Sequence, residues 1–62
     1  MSKALWEVMG WGFKGGLYAE VVEAASAEEA KKLGIPKVRM LARGKAIVKW
    51  SVSLYASAEE LS

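Results

Sequence analysis

The chain has 62 residues, a net charge of +2 and 53% hydrophobic residues, and it contains neither Cys nor His. That length allows one domain, residues 1–62, burying only roughly 60% of the surface its unfolded form exposes. Disulfides are excluded, as are the usual thiolate and imidazole zinc sites and, with no Asp present, the familiar nucleophile triads.

Small scaffolds without staples rely on a dense core, on oligomerisation, or on both. Trp6, Trp11 and Trp50 are large for so short a chain, since a buried aromatic removes about 150–250 Å² from water. At least one of them is expected at a surface, an interface or a ligand face. Asn, Gln and Thr are also absent, a bias that fits a thermophile. No leader-like segment opens the chain and no apolar run approaches about 20 residues, so the expected setting is cytoplasmic, without a membrane partner.

Residues 4–13 are rich in aromatic and β-prone types and read as a strand. Lys14-Gly15-Gly16 is a hairpin turn. Residues 17–25 fit a strand or, through Leu17, Tyr18, Val21, Val22 and Ala25, one face of a helix. The punctuation that follows favours the strand. Ser26-Ala27-Glu28-Glu29 is a capping box, with Ser26 accepting from the Glu29 amide and Glu29 reaching back to the Ser26 amide. A short helix is expected from Ala27 to Leu33, stopped by Gly34 and Pro36.

Residues 37–43 read as a third strand, with Lys37, Arg39 and Arg43 on one face, followed by a turn at Arg43-Gly44-Lys45. Residues 46–55 alternate as a fourth strand, with Trp50, Val52 and Leu54 on one side and Lys49 and Tyr55 on the other. Ser57-Ala58-Glu59-Glu60 repeats the capping-box pattern as a stub. The expected fold is α+β, a small antiparallel sheet of about four strands (β-β-α-β-β) with one short helix packed on one face.

Charge is the most informative pattern. From residue 31 to 58 the chain carries Lys31, Lys32, Lys37, Arg39, Arg43, Lys45 and Lys49 and no acid, whereas residues 1–30 sum to −3 and Glu59 and Glu60 add −2. An acid-free basic run across two strands suits phosphate neutralisation, and aromatic rings on a sheet suit base stacking. Lys37, Arg39, Arg43, Lys45 and Lys49 are the expected phosphate contacts, and Trp11 and Tyr55 the expected stacking partners, for DNA or RNA. Basic residues also blunt edge strands and solvate strand faces, which is the competing explanation.

Gly10-Trp11-Gly12-Phe13-Lys14-Gly15 matches G-x-G-x-x-G, but a dinucleotide site needs a helix after the glycines and a surrounding parallel sheet. A bent strand and turn account for these glycines, and Trp11, Phe13 and Lys14 on a flexed tip form a further candidate contact surface. The Glu pairs sit at helix starts, where capping explains them. No catalytic residue, cofactor, metal or small-molecule substrate is expected. A protein-interaction module, either a homodimer or a small regulator docking on a larger protein, is the alternative reading.

The segment from Leu5 to Glu29, a strand and glycine turn leading through Glu20–Ala30 into a helix, with the basic stretch 37–49 following, resembles the small archaeal ribosomal protein LX family. The chain departs from that pattern in its short helix, its break at Pro36 and its second hairpin. Small viral or phage regulators use similar short β-α arrangements.

Overall fold

The computed structural model describes residues 3–56. It shows an α+β fold built from a three-stranded antiparallel sheet and one helix, in the order β1 (Ala4–Gly12), β2 (Leu17–Ala24), α1 (Ala27–Ala42) and β3 (Ile47–Ala56). The sheet order is β2-β1-β3, so the first strand lies in the middle. The repeated capping motif at residues 57–60 lies outside the described residues.

The first hairpin forms as its sequence dictates. Gly15 and Gly16 both have positive φ, and the Gly12 amide donates to the Gly16 carbonyl at 3.0 Å. This closes the turn that sets Trp11 opposite Leu17 and Val8 opposite Glu20. Residues 17–24 are therefore strand, and their apolar residues serve two sides of a sheet. Val22 and Ala24 face the core, whereas Leu17 and Val21 stay exposed.

Ser26 caps the helix as its position predicts, its hydroxyl accepting from the Glu29 amide at 3.2 Å. The reciprocal bond differs by one residue from the expected one, because Glu29 Oε1 accepts from the Ala25 amide at 3.1 Å. This exposed pair satisfies donors at the helix entrance.

The expected third strand, residues 37–43, is absent, and the sheet has three strands among the described residues instead of four. Residues 37–42, read as strand, form the second half of a 16-residue helix that passes through both Gly34 and Pro36. Ala30, Gly34, Val38 and Ala42 are its buried residues, spaced four apart on one stripe. Gly34 does not end the helix. It lies where the helix axis crosses β1, and an added Cβ there would press on the Val8 side chain, 2.7 Å from Val8 Cβ. Pro36 is exposed, as is Lys32, whose carbonyl loses its i+4 donor. On this exposed side of the helix water can replace the lost donor, so proline is tolerated here. The helix ends at Arg43, in the left-handed region at φ 52°, with its amide shared between the Arg39 and Met40 carbonyls.

The core lies between α1 and one sheet face and is made of small side chains. Val8, Val22, Ala24, Ala30 and Val38 are buried, and the largest fully buried residues are valines. Trp6 and Trp50 pack against it, and none of the three indoles is fully buried. Trp6 Nε1 donates to the Ala24 carbonyl at 3.0 Å. Trp50 packs over Gly10, where a Cβ would lie 3.2 Å from its ring. Trp11 is on the opposite, open face.

Candidate nucleic-acid interface

The sheet order decides where the cations go. β3 runs antiparallel to β1 beside it, so the α1–β3 loop lies next to the β1–β2 hairpin tip. The Phe13 amide donates to the Ala46 carbonyl at 2.9 Å and fastens the two loops together. Lys14 and Lys45 consequently line one cleft of about 330 Å³, with Phe13, Gly12, Gly15 and Ala46. Arg39 and Lys45, with Gly44, Ala46 and Ile47, line a second of about 350 Å³. The clefts share Lys45 and Ala46, and no carboxylate lines either.

Lys49 belongs to the same end of the molecule. It pairs with Trp11 across the sheet, and its ammonium lies 5.3 Å from the centre of the Trp11 ring. Arg39 lies similarly over Trp50, at 5.9 Å. Such cation–π contacts are worth about 0.5–1 kcal/mol at exposed sites. They hold the long basic side chains near aromatic surface rather than leaving them free in solvent.

The expected basic sheet face is therefore corrected. Lys37 and Arg39 are helical, Arg43 is the left-handed cap of the helix, and Lys49 alone of the five basic candidates stands on a strand. Two residues apart on a helix means about 200° around its axis, so Lys37 and Arg39 point to opposite flanks instead of sharing a face. Lys37 lines a separate cleft with Glu20, Met40, Leu41 and Arg43, where a carboxylate is present. Trp11 and Tyr55 also do not form one platform. Tyr55 is exposed, six residues along β3 from the partner of Trp11, or about 20 Å away at strand rise.

The arrangement brings Arg39, Lys45, Lys49 and Trp11 to one end and adds Lys14 and Phe13, while the Arg43 side chain lines the Lys37 cleft. In the sequence Lys14 and Phe13 form a separate hairpin-tip feature. Only the β1–β3 pairing joins them to the basic run, and neither charge nor periodicity encodes that pairing directly. The helix contributes as well. Glu28 and Glu29 occupy its first turn and Arg39 its last, so the side chains follow the helix dipole and separate the charges further.

Arg43 carries a backbone cost that a glycine would not. Residues at αL helix ends are usually Gly, because a side chain there is strained. Replacing Arg43 with Gly is expected to raise stability by about 0.5–1 kcal/mol in chemical denaturation while weakening any polyanion binding at this end. A loss of stability on that substitution would show that the Arg43 side chain supports the fold.

Among the described residues no group of His, Cys, Asp or Glu is placed to hold a metal, and no helix is long and apolar enough to cross a membrane. Comparison of the sequence with protein families and curated proteins, and of the fold with solved structures, finds no match.

Proposed function

We propose that this chain is a small, non-enzymatic nucleic-acid-binding protein that grips phosphates at the end formed by the hairpin tip and the α1–β3 loop. The observation that carries this reading is the convergence of Lys14, Arg39 and Lys45 around two adjoining clefts that no carboxylate lines, with Arg43 next along the chain and Lys49 over Trp11 at the same end of the sheet. Cations that neutralise phosphates release condensed counterions, so clustering them produces affinity without sequence recognition. The rings beside them add a second kind of contact. Phe13 is 73% exposed at the tip, and Trp11 already lies under a cation. A base of a single strand or an unpaired loop stacks on either ring while the adjacent lysine meets its phosphate. The inventory of side chains suits binding rather than turnover, because nothing in the clefts is a ready nucleophile or general base at neutral pH.

The test is titration of the protein against single-stranded and duplex DNA and RNA, following tryptophan fluorescence over a series of salt concentrations. Four phosphate contacts, or about five with Arg43, correspond to a log–log salt slope of about −3 to −4.5. A single-strand preference is expected from the exposed rings. No binding at low ionic strength, or binding that ignores salt, would overturn the assignment.

A further inference from the structure

The sheet face opposite α1 has no layer over it. Along β1, Val8 and Gly10 are buried under the helix, so alternation turns Leu5, Glu7, Met9 and Trp11 outward. Cross-strand partners share a face, which adds Leu17, Ala19, Val21 and Glu23 from β2, and Lys49 with two serines from β3. The central column and one side column of this face are mostly apolar. On the other face Trp6, Tyr18 and Trp50 pack part-buried around the core, whereas Leu17 and Val21 on this face stay exposed.

We infer that this open sheet face is the interface of a homodimer, in which two copies stack face to face with their strands antiparallel. The arrangement of charge selects a second copy over other partners. Glu23 stands opposite Leu5 on β2, at one end of the face, and Lys49 stands opposite Trp11 on β3, at the other end. The two charges therefore occupy diagonally opposite corners. A two-fold axis lying between the sheets and running across the strands exchanges the ends, and a modest rotation of one sheet on the other, usual in stacked sheets, brings each Lys49 to Glu23 of the second copy. The same rotation carries Glu7 off the apolar column toward Ser51 of the second copy, whose hydroxyl can donate to it. A two-fold axis parallel to the strands fails, because it sets Glu7 against its own symmetry mate. An acidic or a basic partner would satisfy one corner of the face and be repelled by the other.

The extent is sufficient. Three strands at about 4.8 Å spacing and seven to eight residues at about 3.3 Å rise give a flat footprint of roughly 350 Å² per copy. With Trp11, Met9 and Leu17 projecting from it, two such faces approach the total of about 1,000 Å² at which specific interfaces begin. The clefts at the hairpin tip lie at the end of the sheet, beyond this footprint, and keep Lys14, Phe13, Arg39 and Lys45 for a nucleic acid; Lys49 and Trp11 belong to both surfaces, and the dimer takes them.

Sedimentation equilibrium of the full chain, without nucleic acid, from low micromolar to submillimolar concentration tests it. A monomer–dimer equilibrium is expected. Lys49→Glu or Glu23→Lys alone should weaken the dimer about tenfold or more through like-charge opposition, and the double swap K49E/E23K should restore it to within about threefold. Met9→Lys, with circular dichroism confirming the fold, should be monomeric throughout. If it does not fold, Val21→Lys, on an edge strand and already part-exposed, replaces it. A wild-type chain that stays monomeric, a dimer that survives both lysine substitutions, or a charge swap no tighter than the single variants overturns the inference.

Discussion

Replacing Gly34 with alanine is expected to cost this domain about 3 kcal/mol, the upper part of the range for overpacked cores. Helix propensity alone predicts the reverse, a gain of about 1 kcal/mol for Gly to Ala inside a helix. The contact with β1 reverses the sign. The new methyl would press on Val8, which is fully buried on the central strand, and would lie 2.7 Å from its Cβ. Rotation about χ1 moves the Val8 methyls but not the Cβ itself. The helix must therefore lift off the sheet, loosening the packing of Ala30 and Val38 on either side of the contact. Domains are stable by about 0.05–0.15 kcal/mol per residue, so a loss of this size removes a large share of the total. Urea denaturation measures it, and a double-mutant cycle with Val8→Ala identifies the cause. Trimming the two methyls should cost markedly less in the Gly34→Ala background than in the wild type, giving a coupling of about 1 kcal/mol or more. Additive effects would mean that contact with the Val8 methyls is not responsible.

Reversing the charge at the two lysines of the tip cleft, K14E/K45E, should weaken binding to single-stranded nucleic acid about 30- to 100-fold at low salt and flatten the salt dependence by about two phosphate contacts. The informative control is K31E/K32E. It changes the net charge by the same amount, but these lysines lie in the first half of α1. Lys31 lines a different cleft with Glu28 and Trp50. If the hairpin-tip end is the site, the control should stay within about threefold of wild type, since exposed charges beyond about 10 Å are screened at ordinary ionic strength. Equal losses in both variants would reduce the effect to net charge and remove the case for a defined site.

Much of this architecture is legible in the residues. Paired glycines after Lys14 mark the hairpin, Ser26 with Glu29 marks the helix start, and alternation from Ile47 marks β3. The middle of the chain is not, because Gly34, Pro36 and the segment from Lys37 to Arg43 carry two patterns at once. Val38, Met40 and Ala42 recur every second residue, as in a strand, and Ala30, Gly34, Val38 and Ala42 recur every fourth, as in a helix. Glycine and proline tip a local reading toward a break. In the folded chain both are explained by position, glycine facing β1 and proline facing water, and position relative to another element is not a local property. The candidate site follows the same division. Its cations stand out as an acid-free run, but assigning them to strands gave the wrong faces. Their joining to Lys14 and Phe13 depends on a pairing between the first and last strands.

That pairing has a kinetic consequence. β1 comes first among the described elements yet sits in the middle of the sheet, and one of its two neighbours is the last of them along the chain. The hairpin and helix assemble from near neighbours in sequence, which costs little loop entropy and is fast. Zipping β3 onto β1 closes a far longer loop and belongs late in folding. Until it happens, one side of the central strand presents a bare row of amides and carbonyls, the template on which extended chains aggregate. It is also the step that brings the α1–β3 loop against the hairpin tip, so the polyanion-binding end comes into being only when the last strand docks. A nucleic acid bound there, holding Lys14 and Lys45 together, would favour that docked state over the half-zipped one and thus act as a fastener for the sheet as well as a ligand.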